Sequence, residues 1–370
     1  MRNRLSRTIL DVALLMIVCG VCSISQAQTF KYRHVNSLTG PDYPSRVTSL
    51  IIDPAGNLYG TSFYGGADNV GTVFKIAPKG PLTVLHSFSA TYGGESPQSI
   101  ARDSKGDLYG ATPYLRGEFD ISGTIFKMAA EPGGKYKFGT LWNDISIGPL
   151  AVTVDSKKNI YGIIQQYTGM VSGDCGSCLF QISAAGAWSD LWDFEYSNYN
   201  PLGTLVIDAS GDVYGTIGGD GGSTSWGYVY EWSPTAGYSV LHTFSGSDGS
   251  YPDALALDAA GTLYGTTSEG GTNSLGTAFK ISAAGEFSTL YNFCSLATCA
   301  DGYEPDGTIA VDSSGNLYGT STAGVYEVTP GGAESVIYGP TTVAPLLVID
   351  KGGDLYGIDS YGVYELVLVK

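Results

Sequence analysis

Apolar and polar residues change places in short bursts along this chain, with no sustained three-and-four spacing of an amphipathic helix. The first clear burst is Leu50-Ile51-Ile52, then Asp53-Pro54-Ala55-Gly56, then Leu58 to Ser62. Two apolar runs around Asp-Pro-x-Gly predict antiparallel strands joined by a type I turn. Pro pre-sets φ at the second turn position, and Gly serves the position that needs a positive φ. A glycine-rich loop over residues 63–70 leads to a third predicted strand at 71–76. Pro78-Lys79-Gly80 turns the chain again, and Leu82 to Phe88 makes a fourth strand. One unit is therefore a four-stranded antiparallel meander.

The same grammar recurs. Leu-Tyr-Gly or a near copy places its tyrosine at Tyr59, Tyr109, Tyr161, Tyr214, Tyr264, Tyr318 and Tyr356, a period near 50 residues. The turn aspartates are Asp53, Asp103, Asp155, Asp208, Asp258, Asp312 and Asp350. Each third strand carries one ring: Phe74, Phe126, Phe180, Tyr230, Phe279, Tyr326 and Tyr364. Such a sheet is covered on both faces and needs a neighbour on each side. Seven four-stranded units predict an all-β fold, a seven-bladed β-propeller. The seventh unit ends after three strands, while Phe30 to Leu38 resembles a spare fourth strand, with Arg33-His34-Val35 echoing Leu85-His86-Ser87. The N-terminal strand is expected to complete the last blade and close the ring over residues 28–370.

Residues 1–27 read as a signal peptide. Arg2, Arg4 and Arg7 precede an apolar run from Val12 to Val21, and Ser25-Gln26-Ala27 fits a small-x-small cleavage site. The run is too short to span a membrane, so a secreted, periplasmic or cell-surface location without stable membrane insertion is expected. With 52 Gly, 26 Tyr and 15% charged residues, the composition suits many short strands and tight turns. Net charge is −16; residues 1–27 carry a net +2, so the remainder carries −18. That balance argues against nucleic acid as a partner and suits a soluble monomer. Four cysteines follow the leader, and two local disulfides, Cys175–Cys178 and Cys294–Cys299, are the simplest of three pairings in an oxidising compartment. A four-thiolate zinc site or a Cys-x-x-Cys redox pair is the alternative.

The strings Gly-Asn-Leu-Tyr-Gly-Thr (56–61 and 315–320), Gly-Thr-Val-Phe-Lys-Ile (71–76) and Val-Leu-His-Ser-Phe-Ser (84–89) resemble the GloVer-type tandem repeat of exported bacterial proteins. So do Gly-Thr-Leu-Tyr-Gly-Thr-Thr (261–267) and Gly-Thr-Ala-Phe-Lys-Ile (276–281). The resemblance covers about residues 30–370 and is weaker in unit 3, where Ile163-Ile164 replaces the usual threonine. It implies export and propeller architecture, and no known enzymatic activity.

Candidate chemistry is sparse. The three histidines, His34, His86 and His242, share one repeat position where other units carry Trp142, Trp192, Tyr291 and Tyr338, so flat packing side chains are expected there. A histidine triad or a His-rich zinc site lacks material. The turn aspartates have a local task in their own turns and lack a calcium-loop spacing. No catalytic residue, metal or cofactor is assigned. Arg102 stands where other units are aliphatic, which marks it for the central channel or for a carboxylate at its mouth. In such a blade the loops from strand two to strand three and from blade to blade share one end. That end collects Tyr64, Tyr114, Tyr199, Trp226, Asp248, Tyr251, Asp301 and Tyr303. Aromatics among polar groups suit sugar rings or protein surfaces. The reading is a non-catalytic binding or scaffold module for a carbohydrate or an extracellular protein. The alternative is a glycan-active lyase or hydrolase using loop-face carboxylates such as Asp248, Asp301 and Glu304.

Overall fold

A computed structural model describes residues 28–38, 44–89, 94–113, 123–144, 148–165, 177–194, 201–219, 225–339 and 344–369. The leader over 1–27 lies outside them. Seven four-stranded antiparallel sheets follow one another along the chain. Their inner strands, Ser45–Ile52, Ser99–Arg102, Gly148–Val154, Pro201–Ile207, Ser250–Leu257, Asp306–Val311 and Leu347–Ile349, neighbour one another in a closed ring. The fold is the expected seven-bladed propeller. The N-terminal strand Phe30–Asn36 pairs antiparallel with Gly362–Leu368, and so becomes the outer strand of blade 7.

Local chemistry explains each blade's shape. In blade 1, Asp53 Oδ1 accepts from the N–H groups of Ala55 and Asn57, both at 2.9 Å. Its Oδ2 accepts from Asn57 Nδ2 at 2.9 Å and from the Tyr59 hydroxyl at 3.3 Å. One carboxylate thus satisfies the turn's free donors and ties the turn to the second strand. Burial would raise the Asp53 carboxyl, but these bonds and the Arg102 guanidinium outweigh it and hold it below its usual value.

The glycine of Leu-Tyr-Gly has a steric reason. A Cβ on Gly60 would lie 2.4 Å from Cζ of Phe74, and one on Gly265 would lie 2.2 Å from Cζ of Phe279. The third-strand ring lies flat over the second-strand glycine in every blade. Phe74, Phe126, Phe180 and Phe279 are fully buried, as are Tyr230, Tyr326 and Tyr364. Apolar residues then fill the seams between blades. The closing seam joins Ile358 and Val363 of blade 7 to Leu50, Leu58 and Phe74 of blade 1.

The inner strand of blade 1 is longer than the sequence pattern suggests. It begins at Ser45, five residues before Leu50, because the polar stretch still pairs with the strand ending at Tyr64. The register slips between Val47 and Ser49, so the extension is a bulge rather than a continued alternation. Comparable slips occur at Pro149/Ala151, Pro201/Leu205, Pro252/Leu255 and Asp306/Ala310.

Candidate binding site at the channel mouth

Most of these bulges border one concavity. All seven blades contribute to a cavity of about 940 Å³ where the inner strands begin, on the loop-rich end of the ring. Its floor is set by Thr48, Gln98, Leu150, Thr204, Asp253 and Thr308, mostly residues that fall within the register slips. A bulged residue has no partner across the ladder, which frees it to face the axis. Around them stand Phe63, Arg46 and Tyr361. Tyr361 is 71% exposed, a flat ring open to solvent at the rim. Arg46 lies over the Phe63 ring, 4.8 Å from its centre, and has a left-handed φ of 52°. Ser96 and Tyr251 share that conformation at the start of their own inner strands, at φ 55° and 54°. The left-handed residue is therefore a repeated device that turns the chain into the ring.

Asp253 is the most perturbed acid of this mouth. Burial pushes its carboxyl up to about 6, helped by the neighbouring Asp306 and opposed by the Gly307 N–H that donates to it at 2.9 Å. Beside it runs a groove of about 610 Å³ between blades 5 and 6, lined by Glu269, Glu304, Asp306 and hydroxyls of Ser268, Thr320 and Thr322. The two hollows share Pro345. Among the described residues, no group of three or more His, Cys, Asp and Glu side chains is placed to share a metal ion.

The candidates picked from the sequence lie elsewhere. Tyr114 and Tyr199 fall outside the described residues, and none of the others lines the mouth. Tyr64 is 42% exposed beside Phe63, with ring centres 4.7 Å apart. Tyr303 is 37% exposed on the connection from blade 5 to blade 6. Trp226 is half-buried against Gly246, and its carbonyl accepts the Tyr251 N–H at 3.0 Å. Asp248 is 2.9 Å from His242 Nε2 and accepts from Ser245 through N–H and hydroxyl, both at 2.8 Å. Asp301 is fully buried and accepts from the Tyr291 hydroxyl at 2.6 Å and from the N–H groups of Ser295 and Leu296 at 2.7 and 3.1 Å. Both acids organise their own loops. The loop held by Asp301 is also closed by the disulfide Cys294–Cys299. Cys178 is fully buried, and Cys175 falls outside the described residues.

Arg102 sits at the opposite end, among the tight turns. Its Nη2 lies 3.9 Å from Asp53 Oδ2, so it meets a carboxylate of the preceding blade. Lys158 repeats this link one blade on, at 2.8 Å from Asp103 and 3.1 Å from Asp107. Two of the three histidines are packing residues: His86 stacks on Phe138 at 3.9 Å and His242 on Phe287 at 3.6 Å, whereas His34 is exposed, with Nε2 3.1 Å from Ser37 Oγ. Burial pulls the His86 imidazole down to about 4, so it stays neutral.

The mouth residues stand outside the long aromatic loops, so no aromatic cluster marks them in the sequence. A usable signal was there: Pro97, Pro149, Pro201, Pro252, Pro305 and Pro345 all stand at or near the start of an inner strand. Proline within a strand marks a bulge or an edge.

Known structures reproduce this architecture. A streptogramin B lyase structure superposes with a TM-score of 0.65 at 13% identity, over 92% of this chain and 98% of that one. A chain of the mitotic checkpoint complex gives 0.58 at 11%, over 92% and 95%. The WD40 propeller domain of Doa1 gives 0.57 at 13%, over 90% and 96%. At such identities the likeness is one of fold alone. No curated protein matches the chain in sequence. The profile of the Gloeobacter/Verrucomicrobia repeat matches residues 19–221 and 149–365, and the chain belongs to that repeat family.

Proposed function

We propose that the protein is an exported, monomeric binding module that takes a carbohydrate in the mouth of its central channel. The observation that carries this reading is the mouth itself: one cavity of about 940 Å³, reached by all seven blades. Its lining combines hydroxyls at Ser45, Thr48, Ser99, Thr204 and Thr308 with rings at Phe63 and Tyr361. A sugar offers alternating apolar faces and hydroxyl edges, which such a lining matches in kind. The deciding experiment is a glycan array, followed by titration of the bound glycan into wild type and Tyr361→Ala. Tyr361 forms no part of a seam between blades, so its loss should weaken binding by roughly tenfold, about 1.4 kcal/mol, and leave the melting temperature in place. An array without hits, with a protein recovered by cross-linking, would favour a protein ligand instead.

A glycan-active enzyme is the second reading, favoured by one observation. Asp253, with its carboxyl near 6, adjoins a groove carrying Glu269, Glu304 and Asp306. A carboxylic acid half protonated at about pH 6 is suited to protonate a leaving group in mildly acidic conditions. Release of reducing ends from a bound glycan, abolished in Asp253→Asn, would establish this reading. Binding without turnover would remove it.

A further inference from the structure

Two blades carry a buried glutamate at the same place, directly after the third-strand tyrosine. Glu365 follows Tyr364 in blade 7 and is 2% exposed; Glu327 follows Tyr326 in blade 6 and is 1% exposed. Glu365 is paired with Arg33 of the N-terminal strand. Glu327 has no such partner: among the described residues no lysine, arginine or histidine is in ion-pair contact with it. Its neighbours are the Tyr318 hydroxyl, donating to Oε1 at 3.4 Å, and the carboxylate of Asp312. The remaining donor is the main-chain nitrogen of Gln28, 2.9 Å from Oε2. The Gln28 side chain adds a second link to the same blade, from Nε2 to Asp312 Oδ2 at 3.1 Å.

Gln28 is also the residue that follows Ser25-Gln26-Ala27, the small-x-small cleavage pattern. We propose that cleavage between Ala27 and Gln28 creates the missing countercharge, so that maturation latches a ring the N-terminal strand has already closed. Water adds to the Ala27 carbonyl under a signal-type peptidase, the C–N bond breaks, Ala27 leaves as a carboxylate, and the nitrogen takes up protons to become the α-ammonium of Gln28. An amide N–H compensates a buried carboxylate only in part, whereas an ammonium at the same position neutralises it. Burial raises the Glu327 carboxyl and Asp312 adds to that rise, against the Gln28 N–H and the Tyr318 hydroxyl. The mature N-terminus thereby ties blade 6, while Arg33 ties blade 7. The same geometry protects the residue. An N-terminal glutamine cyclises when its amine attacks its own side-chain amide and expels ammonia, and here amine and amide are each held by a separate carboxylate.

The inference rests on the export reading for the cleavage step, and its test separates the two. Chains starting at residue 28 would be prepared with a free Gln28 amine and with a short N-terminal extension, each also as Glu327→Gln. At pH 6 the free-amine form should melt higher by about 3 °C or more. That gap should shrink as the pH rises through the amine's titration and close in the Glu327→Gln pair. Equal melting of the two forms, or a gap that survives Glu327→Gln, overturns the latch. Protein recovered after export should begin at an open-chain Gln28 by N-terminal sequencing and intact mass; another start, or loss of ammonia, overturns the maturation step. Failure of export would count against the export reading, while the melting comparison still decides the latch.

Discussion

Asp253 of blade 5 accepts a hydrogen bond from the backbone N–H of Gly307 in blade 6 at 2.9 Å, directly at the channel mouth. The bond joins two blades, yet burial and the neighbouring Asp306 still raise the carboxyl to about 6. An unfolded aspartate ionises near pH 4. The folded protein therefore holds this proton more tightly, and the associated stability is complete below about pH 4 and lost as the pH rises to about 6. Melting curves across that window should show the decline in wild type and a flatter profile in Asp253→Asn. Parallel profiles would refute the assignment.

The glycine under each third-strand ring predicts a local cost. Gly265→Ala places a Cβ 2.2 Å from Phe279, and overpacking of this kind costs about 1–3 kcal/mol. Gly139 is exposed with nothing within 4 Å of an added Cβ, so Gly139→Ala should stay within about 0.5 kcal/mol of wild type. Denaturant titration of both variants measures the contrast, and equal effects would contradict the packing account.

Three blades use tyrosine where four use phenylalanine, and the hydroxyls of Tyr230, Tyr326 and Tyr364 are buried without a protein partner among the described residues. A buried hydroxyl left unbonded costs about 1–3 kcal/mol. Tyr230→Phe is accordingly expected to be neutral or stabilising by about 1 kcal/mol. A clear loss of stability would mean that the hydroxyl is satisfied after all, by an internal water.

Ring closure depends on the N-terminal strand. Arg33→Ala leaves Glu365 buried beside the Tyr356 hydroxyl, which donates to it at 2.8 Å; Arg33 is itself 49% exposed, so the cost should be that of a buried acceptor losing a partner, about 1–3 kcal/mol. Adding Glu365→Gln should recover part of that loss. Deleting residues 28–38 should lower the melting temperature far more, because it uncovers the last blade's third strand along its whole length. A deletion that melts like wild type would contradict closure.

Blade number, strand order and closure were legible in one dimension because they depend on local, repeated chemistry. Asp53 sees its partners Ala55, Asn57 and Tyr59 within six residues, and Gly60 meets Phe74 one strand away, so seven copies of the string specify seven copies of the blade. The signal of a spare strand at Phe30 and a missing one after Leu368 was likewise a matter of counting. The candidate site at the mouth is a different kind of object. Thr48, Leu150, Thr204, Asp253 and Thr308 are one or two repeats, roughly fifty or a hundred residues, apart in sequence and meet only because the ring closes. Their direction depends on register slips, which no alternation of apolar and polar residues records. Asp301 and Asp248 looked like free loop carboxylates for the same reason. Only the tertiary structure shows that the hydroxyls and amides beside them already occupy their oxygens, while Asp253, inconspicuous in sequence, is the acid of the mouth that burial raises.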